Sequence, residues 1–355
     1  MEVRAALRSE RDEVLDLLAL WFDNRAFFAL YNHNDPKFRD DLCLIARDGR
    51  KLVATVQIFD RPINLGGATV PMGGIGSVFT RKDYRHQRIA SALMRLAVKT
   101  LEREGFELSM LFTERLTFYR QFGWREVARK FSILPRAHAI HADAPIELAS
   151  FVASGDLAAV MAIHGAYSGR FNLTAVRDDA DWRANLLFAA NQERDAGDAG
   201  AETFLVARTA GAIRAYARAA LFHGVPMVME YGYLPGAIDA MLSLLRRLGE
   251  TAAGGEPSLS GVGGPGRRSP LFVADGPDGA ARPLIAHTAH DPDLEARLAA
   301  TGAAVTYHED RNFMWRVVSP ERLARRIDAT PDTASARFLE IATSPRALFW
   351  TADRF

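Results

Sequence analysis

The chain has 355 residues, 48% of them hydrophobic, which is enough to bury a large core and long enough to argue for two domains. Its 44 Lys and Arg stand against 43 Asp and Glu, so a net charge of +1 gives no global pull toward nucleic acid or an anionic membrane, and recognition by charge has to be local. The start, MEVRAALRSERDEV, is too charged for a signal peptide, and no window approaches the ~18 apolar residues that span a bilayer, so a cytoplasmic location is expected.

Ser9-Glu10-Arg11-Asp12 has the form of a capping box with Ser9 as N-cap, and Val14, Leu17, Leu18 and Trp21 follow at helical spacing. The lone cysteine, Cys43 in LCLIA, cannot pair within the chain and reads as a small buried hydrophobe. Residues 42–59 read as two strands around Asp48-Gly49, a pair suited to the positive φ of a tight hairpin. The glycine-punctuated VPMGGIGSVFT reads as a strand ending at Thr80. Ile89, Leu93, Leu96, Ala97, Thr100 and Leu101 then trace one face of a helix over 89–104, with Gly105 as its stop. A strand over 107–113, the segment ERLTFYRQFGW and a strand over 130–134 complete a mixed α/β layer structure.

After about residue 140 a similar order recurs without sequence identity. A helix over 154–167 precedes a hairpin, TFLVAR and AIRAYARAAL, turning near Ala210-Gly211; a strand, PMVMEY, and a helix, AIDAMLSLLRRLG, follow. The Gly-, Pro- and Ser-rich stretch 249–269 is expected to be a mobile loop. Strands over 271–274 and 313–318 and a helix over 292–300 finish the second unit, and a helix with an extended tail is expected from Ser319.

The most informative stretch is DYRHQRIASALM, where a loop with Arg85 and Ala90 runs straight into the helix. Backbone amides at a helix N-terminus lack intrahelical partners and face the positive end of the dipole, which suits an anion. A basic, solvated helix start is the alternative. Together with FYRQFGW downstream, GGIGSVFTRKDYRHQRIASALM resembles the GCN5-related N-acetyltransferase (GNAT) family, in which a strand, an Arg/Gln-x-x-Gly-x-Gly/Ala loop, a helix, a strand and a Phe-Tyr-x-x-x-Gly-Phe motif follow in that order. Arg85, Ala90, Phe118, Tyr119 and Gly123 match; Trp124 takes the last aromatic place; His86 and Arg88 stand where glycine is common. Glycine is required at 88 only if φ is positive or a Cβ would collide with the ligand. The opening turn of a right-handed helix is expected to impose neither, leaving the Arg88 guanidinium to turn outward toward a phosphate.

The resemblance covers about residues 1–135 and implies an acetyl-CoA-dependent N-acetyltransferase with no metal. It implies that the backbone of Val78, Phe79 and Thr80 pairs with the pantetheine arm of acetyl-CoA, with the Phe79 amide toward the thioester oxygen. Arg85, His86, Gln87, Arg88, Ile89, Ala90 and Ser91 would hold the pyrophosphate, and Thr113 and Glu114 would line the same cofactor site or simply be solvated. Tyr119 matches the family tyrosine beside the sulfur, where a phenol, protonated at neutral pH, can donate to the leaving thiolate; a core tyrosine in an aromatic cluster is the alternative. No Asp or Glu stands on GGIGSVF to serve as base.

The paired layout further resembles the tandem-domain type related to the enhanced intracellular survival acetyltransferases, and implies an α/β fold of two GNAT-like domains: a catalytic 1–138, a degenerate 139–318 and a C-terminal extension 319–355 in place of a full sterol-carrier-like third domain. In those relatives the C-terminal carboxylate reaches the site, which makes Phe355 a candidate catalytic group. Trp21 to Pro36 lies where the family roofs the acceptor pocket, so Asp23 and Asp35 either attract a cationic amine or belong to a solvated helix face. EYGYLPGAIDAML replaces the phosphate loop in the second unit, and Pro235 removes an amide there, so that unit shapes the pocket; Glu230 is its most suggestive acid, or an ordinary strand-end charge. His287 and His290 have no second half-site at a metal-binding spacing. The expected partner is a small-molecule amine or a lysine, with no nucleic acid or membrane, and a homo-oligomer stays open. A catalytically inactive acyl-CoA-binding regulator is the alternative function.

Overall fold

A computed structural model describes residues 1–22, 25–142, 146–191, 202–222, 225–254 and 283–353. Asp23, the strand expected over 271–274 and Phe355 lie outside them. In chain order the elements are β1 Glu2–Ala5, α1 Arg11–Phe22, α2 Arg25–Asn34, β2 Cys43–Asp48, β3 Lys51–Asp60, β4 Ile63–Leu65, β5 Ala68–Val70, β6 Met72–Thr80, α3 Ile89–Arg103, β7 Leu108–Phe112, α4 Leu116–Arg120, β8 Arg125–Glu126 and β9 Arg129–Leu134. There follow β10 Glu147–Ser150, α5 Ala153–Ser168, α6 Asp179–Asn191, β11 Thr203–Thr209, β12 Ala212–Phe222, β13 Val225–Tyr233, α7 Ile238–Gly254, β14 Leu284–Ala286, α8 Pro292–Ala300, β15 Thr306–Asp310, β16 Phe313–Val317, α9 Pro320–Ala324 and α10 Ala334–Ala342.

Two mixed sheets result, in the orders β1-β2-β3-β6-β7-β16-β8 and β10-β11-β12-β13-β14-β9-β15. Each contains one parallel pair, β6 with β7 and β13 with β14, bridged by a long helix, α3 and α7 respectively. The expected repetition of element order is therefore a repetition of topology. Both hairpins form where expected, around Gly49 at φ 56 and around Ala210-Gly211 at φ 49 and 78, because those positions accept the left-handed backbone that a tight turn requires.

Strand membership differs from the sequence reading at two places. The strand after FYRQFGW, β9, pairs with β14 and β15 in the second sheet, while β16 pairs with β7 and β8 in the first. Each sheet thus takes its penultimate strand from the sequence region of the other. Local patterning sets which residues face a core and is blind to which sheet supplies it: Phe131 packs with Met227 and Ile285, whereas Met314 joins the core under α3.

Two smaller differences have local causes. Ser9 does not cap α1; the Glu10 carboxylate folds back to accept the Leu7 amide at 2.8 Å and to meet Arg4 at 2.7 Å, and the helix begins at Arg11. Helix α7 runs on to Gly254, through the first residues of the stretch expected to be a loop, and Gly249 lets it lie directly on Ala137, whose backbone a Cβ there would strike. α3 buries Ile89, Leu93, Met94, Ala97, Thr100 and Leu101, nearly the face expected, and comes close to β6 because Gly73 offers Leu101 no Cβ to strike.

Candidate active site

Strands β6 and β7 pair in parallel only from Met72–Leu108 to Gly74–Met110 and then separate. Beyond Gly74, β6 keeps β3 alone as a strand partner among the described residues. Its pairing to β3 steps from Gln57–Gly76 to Thr55–Phe79, so Ser77 and Val78 together oppose one residue, with Ser77 at φ 50. This is a β-bulge, which kinks the strand and re-aims its amides. Ser77 went unsingled in the sequence; Gly76-Ser77 inside an otherwise apolar strand was the available signal. The Val78 side chain packs toward the core under α3 and Phe79 packs into the cluster beneath α1, so the opening lies along the backbone of Val78–Thr80.

The loop from His86 to Ser91 closes one end of this opening. His86 and Arg88 both take positive φ, at 65 and 60, and Arg88 is the N-cap of α3. The expectation that Arg88 could stand there without glycine's backbone geometry is overturned. The family's glycine conformation is kept at both positions by residues that pay strain for it, a left-handed non-glycine costing about 1–2 kcal/mol. What the geometry yields is a run of amides, His86 to Ser91, with no backbone acceptor among the described residues, while Ala92 is the first to bond back, to the Arg88 carbonyl at 3.0 Å. Alternating left-handed residues ahead of a helix form an anion-binding concavity. His86, Gln87 and Arg88 are exposed, and Arg85 folds under the loop with Nε 3.4 Å from the Thr80 carbonyl. We expect Arg88→Gly to stabilise the protein by about 0.5–1 kcal/mol in urea unfolding, strain relief exceeding the entropy lost with glycine, and to weaken acetyl-CoA binding in calorimetry. Tighter binding would show that the side chain obstructs the site.

Tyr119 sits in α4 and is 7% exposed. It belongs to the same apolar cluster as Val78, Ile89 and Leu93, which ties it to the strand opening and to the head of α3, and its ring meets Phe118 edge-on at 4.9 Å. Burial pushes its phenol up to about 12, against a weaker pull from Arg115, so it stays protonated through the physiological range. Thr113 directly follows β7; its amide donates to the Asn312 carbonyl at 2.8 Å and its Oγ1 accepts the Arg115 amide at 2.9 Å. Glu114 is exposed.

Residues 2–127 match the family model for an acetyltransferase (GNAT) domain. This unit is a GNAT acetyltransferase domain. No match was found among curated proteins. Solved structures extend the likeness beyond the GNAT domain to both sheets. A probable N-acyltransferase from Enterococcus faecalis V583 aligns with TM-score 0.63 at 16% identity, over 89% of this chain and 72% of its own. A GCN5-related N-acetyltransferase from Kribbella flavida gives 0.61 at 18% over 93% and 73%, and Eis1 from Mycobacterium abscessus 0.56 at 14% over 92% and 75%. At these identities the shared property is the fold, here the tandem arrangement.

Between the GNAT domain and the second unit lies a small open cavity of about 50 Å³ lined by Tyr31, Asp35, Lys37, Arg61, Arg177, Asp353 and others. Asp35, a candidate for drawing in an amine, is buried and spent: Arg61 bonds its carboxylate at 2.5 Å and the Lys37 amide donates to it at 2.9 Å. Glu230, read as a suggestive strand-end acid, is instead wholly buried. It pairs with Arg177 and accepts the Tyr216 hydroxyl at 3.0 Å, with His164 Nδ1 at 3.7 Å. Arg177 also grips Asp353 at 2.6 Å, leaving Asp353 Oδ2 without a hydrogen bond among the described residues. Arg177 and Asp353 were missed because neither falls in a motif; they meet only when the tail folds back onto the second unit. His287, considered as a metal ligand, is buried with Nε2 2.9 Å from Thr351 Oγ1.

Proposed function

We propose that the protein transfers an acetyl group from acetyl-CoA to a primary amine. The observation that carries this reading is the row of unbonded amides from His86 to Ser91, created by two left-handed residues at the head of α3 and set beside the opening of β6. Diphosphate needs several convergent N–H donors, and this loop has them ready without reorganisation. His86 and Arg88 add cationic or polar side chains at its rim.

In the reaction so assigned, the amine nitrogen attacks the thioester carbon, the C–N bond forms and the C–S bond breaks. An amide in the bulged strand, assigned to Phe79, faces the developing oxyanion, Tyr119 gives its proton to the departing sulfur, and the proton that the attacking nitrogen sheds on becoming an amide passes through solvent to restore the Tyr119 phenol. Val78–Thr80 carry the pantetheine, with Thr113 and Glu114 along the same groove. The acceptor is assigned to the cavity between the units, whose wall includes Arg61, the residue after Asp60; Asp60 pairs with Gly73, four residues or ~13 Å along β6 from the bulge. Because β6 carries no carboxylate, the amine's proton goes to solvent before attack. Turnover at low substrate is therefore expected to rise with pH, about tenfold per unit, until it approaches the amine's own pKa.

The test is acetyl-CoA titration by calorimetry, with thiol release measured over a polyamine, an aminoglycoside and a lysine peptide between pH 6 and 10. Binding with pH-dependent release supports the reading. Binding without release on every amine supports an acyl-CoA-binding regulator instead, and absence of binding removes both.

A further inference from the structure

The two chain crossings between the sheets run side by side behind the candidate active site. β8 in the first sheet leads into β9 in the second through Val127 and Ala128, and β15 returns to β16 through Arg311 and Asn312. Where the crossings enter the second sheet, Arg129 and Asp310 are paired across β9 and β15. Their side chains form a buried ion pair at 2.7 Å, 9% and 3% exposed. The Arg129 guanidinium also lies over the rings of Phe112, Phe131 and Phe313, at 4.8, 5.0 and 4.8 Å.

From this pair a relay of hydrogen bonds, joined through the residues between them, leads to Phe118, the neighbour of Tyr119. The second Asp310 oxygen accepts the Asn312 amide at 2.9 Å, and the Asn312 carbonyl accepts the Thr113 amide at 2.8 Å. Thr113 Oγ1 accepts the Arg115 amide at 2.9 Å, and the Arg115 carbonyl accepts the Phe118 amide at 3.0 Å, within the helix that carries Tyr119. Phe112, clasped by Arg129, immediately precedes Thr113. α4 has only five residues, too few for a helix to hold its own geometry, so its orientation depends on what its ends are tied to. Burial of Leu116, Phe118 and Tyr119 in the core under α3 sets its depth; the anchor at Thr113 sets its rotation.

We propose that Arg129 and Asp310 are positioning residues for the acetyl transfer: the junction of the two sheets aims the Tyr119 hydroxyl. The second unit then contributes to catalysis without touching substrate. This rests on the reading of Tyr119 as the proton donor. A donor displaced by a fraction of its hydrogen-bond length loses rate steeply, and ~1 Å can cost about 100-fold.

The experiment compares Asp310→Ala, Asp310→Asn and Thr113→Val with the parent, each alone and with Tyr119→Phe. It measures kcat on the most active amine of the panel, acetyl-CoA affinity by calorimetry, and amide hydrogen exchange. Asp310→Ala is expected to lower kcat about 10- to 100-fold with acetyl-CoA affinity within about twofold, and to speed exchange at Asn312 and across 113–120. Asp310→Asn keeps one acceptor oxygen for the Asn312 amide but turns an NH2 donor toward Arg129, so it should recover only part of the rate. With Tyr119→Phe present, Asp310→Ala should cost less than about twofold, since the group being aimed is gone. An equal cost in both backgrounds overturns the proposal, as does an unchanged kcat. Should Asp310→Ala not fold, Thr113→Val cuts only the last side-chain link and is judged by the same two arms. Parental kcat in Tyr119→Phe overturns the acid reading alone; the anchor is then judged by exchange, faster over 113–120 supporting it and unchanged overturning it.

Discussion

Tyr119→Phe is expected to lower kcat by about 10²–10⁴-fold, the range a positioned acid contributes, while acetyl-CoA affinity stays within about twofold. The lost atom is a single hydroxyl. The ring would keep its edge contact with Phe118 and its place among Leu93, Phe122 and Trp124, so the packing that holds α3 against β6 survives. Burial has raised the phenol to about 12, which makes it a weaker acid than free tyrosine but keeps it protonated and neutral at every pH where the enzyme would work. A departing thiolate is most basic as the C–S bond breaks, and a proton is then worth most. The measurement is thiol release at saturating acetyl-CoA, with calorimetry for the bound state; equal kcat in mutant and parent would remove Tyr119 as the acid and leave it a core aromatic.

Much of this fold is legible in the sequence because period and punctuation act locally. The face of α3 and the hairpins at Gly49 and at Ala210-Gly211 follow from residues within a short window, whereas β14, the three-residue parallel partner of β13, is too short to show a period and does not read as a strand. The exchange of β9 and β16 between sheets is decided by partners well over a hundred residues away, for which Phe131 and Met314 carry no local mark. The candidate phosphate loop is legible in its residues but not in its backbone: nothing in His86 or Arg88 announces positive φ, and the glycine pattern of the family is the better guide. The cluster around Arg177 was illegible for a third reason. Its members come from β12, β13, α5, a loop and the tail, each unremarkable alone, and only burial makes them interdependent.

That interdependence gives the other large effect, on stability. The Arg177 side chain is 4% exposed and bonds both Glu230 and Asp353, themselves 0% and 5% exposed. Removing a buried cation leaves its carboxylates uncompensated, so Arg177→Met should cost about 3–5 kcal/mol near pH 7.5. The pH dependence separates this from a simple packing loss. Burial pushes Glu230 up, but Arg177, His164 and Arg218 outweigh it and hold the carboxyl down to about 2, against an ordinary 4.5. The folded state therefore binds fewer protons than the unfolded one, and this contribution is complete above pH 4.5 and lost as pH falls toward 2. Burial likewise holds His164 down to about 4 from 6.5, so parental stability already declines from pH 6.5 downward. In Arg177→Met the strongest cation is gone and burial raises Glu230, which inverts the sign: its protonated form is then the stable one, and acid relieves the variant. The gap between parent and variant should be widest near pH 7.5 and at least halve by pH 4, read from urea unfolding at each pH. A gap that stays constant would mean that Arg177 contributes volume and not charge, and that the tail is held to the second unit by packing around Trp350 instead.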